Sequence, residues 1–376
     1  MSNAIAFIDL QAQRRRLGEP LNRAIAKAVE GGQWIMGPQV AEFEKQLADF
    51  AGVKHAIACA NGTDALLIVL RAWNVGPGDA VFVPAFTFAA SAEVVALAGA
   101  TPVFVDVFED TYNIDPASLA AAIAMVKREG KLKARVVMPV DLFGQSADYE
   151  ALEPIVRREN LLMLCDAAQG FGARYRASRC GGIGDAAATS FFPAKPLGCY
   201  GDGGASFTND DALADLLRSI RIHGQGADKY ENVRIGVNSR LDTIQAAILI
   251  EKLKIFAEEI EMRDTVARRY NEALGRSNRI RIPRVIDCAQ STWAQYTIQV
   301  PDRDRLAADL KAKGIPTAIY YPTPLSKQKG YAHFPSAGTP VSERIGKTVI
   351  SLPMHPYLDE ATQDRIVEAV LESVGR

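Results

Sequence analysis

Leu161-Leu162-Met163-Leu164-Cys165-Asp166-Ala167-Ala168-Gln169 places four apolar residues and a cysteine directly before a carboxylate. The apolar part, Leu161–Cys165, has the length of a buried strand. Six further runs resemble it: His55–Cys59, Ala80–Val83, Pro102–Val107, Arg135–Pro139, Ala187–Phe192 and Ala205–Thr208. Most are separated by enough residues for a helix. Short buried strands alternating with helices predict an α/β domain around a mostly parallel sheet. Asp166 would then stand at the C-terminal end of a strand, where open α/β sheets bind ligands.

Upstream, Gly18–Gly31 is amphipathic, and Val40, Phe43, Leu47 and Phe50 recur at helical spacing. The Gly- and Pro-bounded segment between them, Gly31–Pro38, reads as a loop and carries Trp34. Downstream, Thr243–Gly275 reads as one long helix. The tail reads as a smaller α+β unit: strand Gln295–Val300, helix Arg303–Lys313, strand Ile315–Tyr321 and helix Glu360–Val374. The division is expected near residue 250, giving units 1–250 and 251–376.

The 43 Lys and Arg nearly balance the 44 Asp and Glu, so charge gives no reason to expect nucleic acid or a membrane as partner. No apolar stretch is long enough to span a bilayer, and no signal peptide is evident. The five scattered cysteines lack a C-x-x-C pair and read as reduced thiols, which points to the cytoplasm. His55, His223, His333 and His355 show no metal-ligand spacing, so no metal is expected.

Three segments carry chemistry. In Ser190-Phe191-Phe192-Pro193-Ala194-Lys195-Pro196, a lysine follows an apolar run and sits in a tight turn. Desolvation there would depress its pKa and make it a nucleophile towards a carbonyl; the alternative is a lysine reaching solvent from a turn. Asp166 can pair with a cofactor's pyridinium nitrogen, although a structural Asp after a strand is also common. Asn61-Gly62-Thr63-Asp64 follows a strand and opens a helix, whose free N–H groups favour a phosphate; an ordinary helix cap is the plainer reading. No Walker lysine pattern and no G-x-G-x-x-G after a strand is present, which argues against a nicotinamide enzyme. Together the three segments supply a phosphate cup, an acid and a lysine, and this set suits pyridoxal 5'-phosphate (PLP). Val83-Pro84-Ala85-Phe86-Thr87-Phe88 adds aromatics that read as core residues or as a ring-stacking face.

With these motifs the chain resembles the DegT/DnrJ/EryC1/StrS sugar aminotransferases. The likeness begins at Phe7-Ile8-Asp9-Leu10 and includes Gly37-Pro38, Asp166-Ala167-Ala168-Gln169 and Gly201-Asp202-Gly203-Gly204. It continues through Gly236-Val237-Asn238-Ser239-Arg240-Leu241-Asp242 to Ser351-Leu352-Pro353-Met354-His355. The resemblance implies a fold type I PLP-dependent transferase, as in aspartate aminotransferase, with a large sheet domain and a smaller C-terminal domain. It also implies a homodimer with shared active sites. Carried over, Lys195 would hold the cofactor as a Schiff base and move protons, and Asp166 would pair with the ring nitrogen. Phe88 would stack on the ring, Gly62, Thr63 and Ser190 would hold the phosphate, and Gln169 would sit near the ring hydroxyl. Asn238 would reach the phosphate from the partner subunit. L-glutamate would donate the amino group and a keto-sugar nucleotide would receive it. Some relatives are dehydratases with histidine in place of Lys195, so lysine here favours transamination. His223 and His355 lie in family-like segments and are candidates to line the site.

Within the family, the segments Ser190–Gly204, His223–Gly226 and Asn238–Thr243 are similar to those of certain uronate enzymes. These aminate UDP-2-acetamido-2-deoxy-3-keto-glucuronate for surface polysaccharide such as O-antigen. Arg240 is then the candidate for the uronate carboxylate, against a structural ion pair. Trp34, Tyr320 and Tyr321 are further substrate candidates. In Ile319-Tyr320-Tyr321-Pro322 the chain departs from those enzymes, which are expected to carry histidine before the second tyrosine. A neutral 3-keto or 4-keto-6-deoxy sugar nucleotide (dTDP, UDP or GDP) is the alternative substrate. A regulatory protein that kept the fold without turnover is the alternative of another class.

Overall fold

The structure, a computed structural model, describes residues 4–228 and 230–375. It opens with helices α1 (Leu10–Glu30) and α2 (Pro38–Ala51). Gly18, with a φ of 53°, interrupts the helical backbone of α1, and Pro20 follows two residues later. Then come β1 (His55–Cys59), α3 (Gly62–Ala72), β2 (Asp79–Pro84), α4 (Ala90–Leu97), β3 (Thr101–Val105), α5 (Pro116–Glu129), β4 (Lys133–Val137), α6 (Tyr149–Glu159) and β5 (Leu162–Asp166). The short strands β6 (Arg174–Tyr175) and β7 (Ser178–Arg179) precede β8 (Ala186–Ser190), β9 (Gly204–Thr208), α7 (Asp211–Ile220) and the long α8 (Thr243–Leu274). The chain ends with β10 (Ala289–Gln290), β11 (Tyr296–Gln299), α9 (Arg303–Ala312), α10 (Pro340–Ile345), β12 (Val349–Leu352) and α11 (Glu360–Val374).

The main sheet has the order β1-β9-β8-β5-β4-β2-β3. Only β9 runs against its neighbours, so the sheet is mostly parallel, as the run pattern predicted. One apolar layer fills the space between the sheet and α2, α5, α6 and the first half of α8. A second lies between the sheet and α3, α4 and α7. Covering both faces explains why these strands are apolar runs without alternation. β1, β2, β4, β5 and β8 all end on one side, so their following loops converge there.

A third core joins the second half of α8 to β11, β12, α9 and α11. Here the sequence reading needs a correction. Ile315–Tyr321 is not a strand; it makes a single bridge, Ala318 to Ser351. Pro316 and Pro322 withhold backbone donors from that segment. The partner of β11 is β12, a four-residue strand closed by Pro353 and too short to stand out in the sequence.

His355 follows β12 and is 4% exposed, with no hydrogen-bond partner for its Nδ1 among the described residues. Burial, reinforced by the nearby Arg263 guanidinium, pushes its imidazole down to about 4. Below pH 6.5 the unfolded chain takes up this proton while the folded one does not until about pH 4. This one residue should therefore cost about 3 kcal/mol of stability as the pH falls through that window. Urea unfolding of His355→Leu should show a correspondingly flatter dependence on pH than the unsubstituted protein. Identical slopes would refute the assignment.

Candidate active site

β1 ends at Cys59, and Asn61 caps α3 by accepting a hydrogen bond from Asp64 N at 2.8 Å. Gly62 N and Thr63 N, in the first turn of α3, find no acceptor among the described residues. Two free donors at a helix N-terminus form an anion cradle. Ser190, the last residue of β8, closes its other side. A Cβ on Gly62 would lie 2.6 Å from Ser190 Cβ, so only glycine permits this approach. Gly62→Ala is expected to fold and to weaken phosphate-anchored cofactor binding at least about tenfold, measured by equilibrium dialysis. Unchanged affinity would show that the cradle is not the anchor.

Asp166 ends β5 and is 5% exposed. Its Oδ1 accepts from Ala168 N at 3.1 Å and its Oδ2 from Ser91 Oγ at 2.9 Å. Thr87 Oγ1 lies 3.2 Å from Ser91 Oγ, extending the network. Burial pushes the carboxyl up, while these hydrogen bonds and the attraction of Lys195 oppose the shift. A cation brought beside it would favour the ionised form. Lys195 is partly exposed because it faces the open cavity. Desolvation by the surrounding protein pushes its ammonium below the usual lysine range, and Asp166 pulls it back.

These groups line one cavity of about 430 Å³ at the C-terminal ends of the strands. Gly62, Thr63, Phe88, Asp166, Gln169, Ser190, Lys195, Tyr320 and Tyr321 all lie on its wall. Of the two aromatics after β2, Phe86 is core and Phe88 is 56% exposed, its ring 6.3 Å from that of Tyr321. Gln169 Oε1 accepts from Phe143 N at 2.7 Å, and its Nε2 donates to Tyr321 Oη at 3.2 Å. The sequence reading missed Ser91, the donor to Asp166, although it lies one helical turn after Phe88. It also passed over Gln295 and did not single out Asp202, both on the cavity wall.

Five candidates are not on its wall. Trp34 is 57% exposed, and its indole N–H donates to Val29 O. Asn238 is exposed and bridges to Ile222. Arg240 is partly buried and makes no ion pair with a described residue. None of the three lines the cavity of its own chain. His355 also lies away from it, and the cavity wall does not include His223. A larger groove of about 780 Å³ lies at the opposite ends of β5 and β8. Its arginines are paired, Arg157 with Glu153 and Arg176 with Glu150.

An anion cradle, a buried carboxylate and a desolvated lysine on one wall fit PLP group by group. The fold and this site define a PLP-dependent aminotransferase. The DegT/DnrJ/EryC1/StrS aminotransferase family model matches residues 16–371, and the chain belongs to this family. It is 49% identical over 358 residues to UDP-2-acetamido-2-deoxy-3-oxo-D-glucuronate aminotransferase of Pseudomonas aeruginosa, covering 95% of this chain and 97% of that one. A crystal structure of a DegT/DnrJ/EryC1/StrS aminotransferase from Brucella abortus matches with a TM-score of 0.97 and 55% identity, covering 99% and 100%. NtdA of Bacillus subtilis, solved with cofactor PMP bound, matches with a TM-score of 0.86 and 28% identity, covering 96% and 82%.

Proposed function

We propose that this chain moves the amino group of L-glutamate to C3 of UDP-2-acetamido-2-deoxy-3-keto-glucuronate, yielding a 3-amino sugar for surface polysaccharide. The observation that carries this reading is the 49% identity, along nearly the whole chain, to an aminotransferase of that sugar nucleotide. Bound in the cavity, PLP supplies an electron sink for the charge that develops at the donor's α-carbon. Gly62, Thr63 and Ser190 anchor its phosphate, and Phe88 and Gln169 fix its ring. Asp166 holds the proton on the ring nitrogen. Lys195 takes the proton from the donor and returns it at the opposite step.

The substrate and cofactor together bring several negative charges, whereas among the described residues Lys195 is the only Lys or Arg on the wall of the cavity. A second copy of the chain supplies what is missing in this reading. The segment with Asn238 and the unpaired Arg240 adjoins the loop of Trp34, because Ile35 bridges to Asp242 and Thr243 N donates to Trp34 O. Trp34, Ile35, Val233 and Ile235 expose apolar side chains beside it. A homodimer would cover them and bring Asn238 and Arg240 to the partner's cavity. The two units of each chain divide within α8 near residue 250, and the enzyme works in the cytoplasm. Among the described residues no helix is long and apolar enough to cross a membrane.

Tyr320 favours a second reading. It lines the cavity as a neutral phenol, which suits a neutral 3-keto or 4-keto-6-deoxy sugar nucleotide. A single-turnover assay separates the two. The protein is converted with glutamate to its amino form, then mixed with the 3-keto uronate or a 4-keto-6-deoxy sugar nucleotide while cofactor absorbance is followed. Recovery with the uronate alone supports the first reading, and recovery with the neutral sugar alone supports the second. A cofactor that glutamate never converts would favour a regulatory protein on this fold.

A further inference from the structure

Lys252 lies on α8 beneath the loop that carries Lys195, and it is 1% exposed. No carboxylate of a described residue lies within ion-pair distance of it, and Glu259 attracts it only from farther off. Glu259, the nearby acid on the same helix, is engaged by Gln13 and Tyr357. Lys252 Nζ donates to Gly198 O at 2.6 Å and stands 4.5 Å from the centre of the Tyr200 ring. Two turns earlier on the same face of α8, Gln245 holds both backbone polar groups of Tyr200. Its Oε1 accepts from Tyr200 N at 2.8 Å, and its Nε2 donates to Tyr200 O at 3.3 Å. A buried amine with only a carbonyl and an aromatic face as partners is costly, and burial indeed pushes its ammonium down to about 8.

The loop from Phe191 to Gly203 explains what that cost obtains. Pro193 and Pro196 lack N–H groups, so this segment can make few backbone bonds of its own. It folds back tightly: Lys195 N donates to Phe192 O, and Cys199 N to Phe191 O. A Cβ on Gly198 would lie 2.5 Å from Pro193 O. The remaining carbonyl of Gly198 and the peptide of Tyr200 are held from α8.

We propose that Lys252 and Gln245 are positioning residues, a clamp on α8 that holds the Gly198–Tyr200 turn and so keeps Lys195 in its desolvated place. The clamp rests on Lys195 as the cofactor's lysine. It ties that residue to the helix whose second half builds the core behind β11 and β12.

Lys252→Met removes the donor and the charge while filling the same space. The substitution relieves a costly buried charge but leaves Gly198 O without its donor, so the variant should fold with a melting temperature lowered by roughly a few degrees. The pH at which Lys195 of the apoprotein becomes half-reactive towards an amine-directed reagent, read by peptide mass spectrometry, should rise. The expected rise is about one unit, or roughly tenfold less free amine at neutral pH. The absorbance titration of the bound cofactor should shift as well. Gln245→Ala, at a less buried position, should shift both in the same direction and decides the matter if Lys252→Met fails to fold. Unchanged midpoints in the folded variants would overturn the clamp while leaving the cofactor assignment intact. If the unsubstituted protein binds cofactor but Lys195 is not the residue covalently trapped with it by borohydride, the Lys195 assignment falls, and the clamp with it.

Discussion

Lys195→Ala is expected to abolish amino transfer, lowering the single-turnover rate with glutamate about 10⁴-fold or more. In the proposed function the residue combines two roles, holding the cofactor and carrying the proton. Among the described residues it is the only Lys or Arg on the cavity wall, and desolvation lowers the pKa of its ammonium while Asp166 opposes the shift. Without it, neither the covalent hold on the cofactor nor the proton carrier remains. The anion cradle at Gly62, Thr63 and Ser190 is untouched, so cofactor should still bind, yet borohydride should no longer fix it to the chain. Stopped-flow absorbance with glutamate, with denaturation mass spectrometry after reduction, tests both statements. A variant retaining a tenth of the rate would show that another group moves the proton.

Asp166→Asn should lower the same rate about 10³-fold while leaving the fold intact. The substitution keeps the size of the side chain and an acceptor for Ala168 N, but it removes the charge. A neutral amide cannot hold a proton on the ring nitrogen, so the electron sink weakens. The loss should fall on proton abstraction more than on cofactor affinity, because the phosphate cradle lies on a different strand end. Equal losses in affinity and rate would instead make Asp166 an anchor. Asparagine should also escape the upward push that burial exerts on the Asp166 carboxyl. The acid limb of the rate profile should therefore simplify in the variant.

Much of this molecule was legible in short stretches of sequence. His55–Cys59 and the last helix, Glu360–Val374, coincide with the observed elements, and the other strand runs of the large sheet fall within a few residues of theirs. Periodicity and apolar run length are local signals, and these elements are buried on the faces that such signals report. The cavity-lining residues drawn from Asn61–Leu66, Asp166–Gln169 and Ser190–Lys195 were legible for a related reason. Each lies where a strand ends, and strand ends on one side of a parallel sheet must converge. Phe88 stayed ambiguous beside Phe86, since both are phenylalanines after the same strand; only the packed structure sends one inward and the other to the cavity.

What the sequence by itself determined is therefore the alternation of elements, the class of sheet and the chemistry placed at its strand ends. Tertiary structure alone decided which distant groups meet there. Ser91 reaches Asp166 across 75 positions, Gln169 meets Tyr321 across 152, and Lys252 holds Gly198 from 54 positions away. It also replaced the expected strand at Ile315–Tyr321 with β12, and left Trp34, Asn238 and Arg240 outside their own chain's cavity. Periodicity records which face of an element avoids water. It carries no record of which other face that side will meet, because that contact depends on the crossing of elements far apart in the chain.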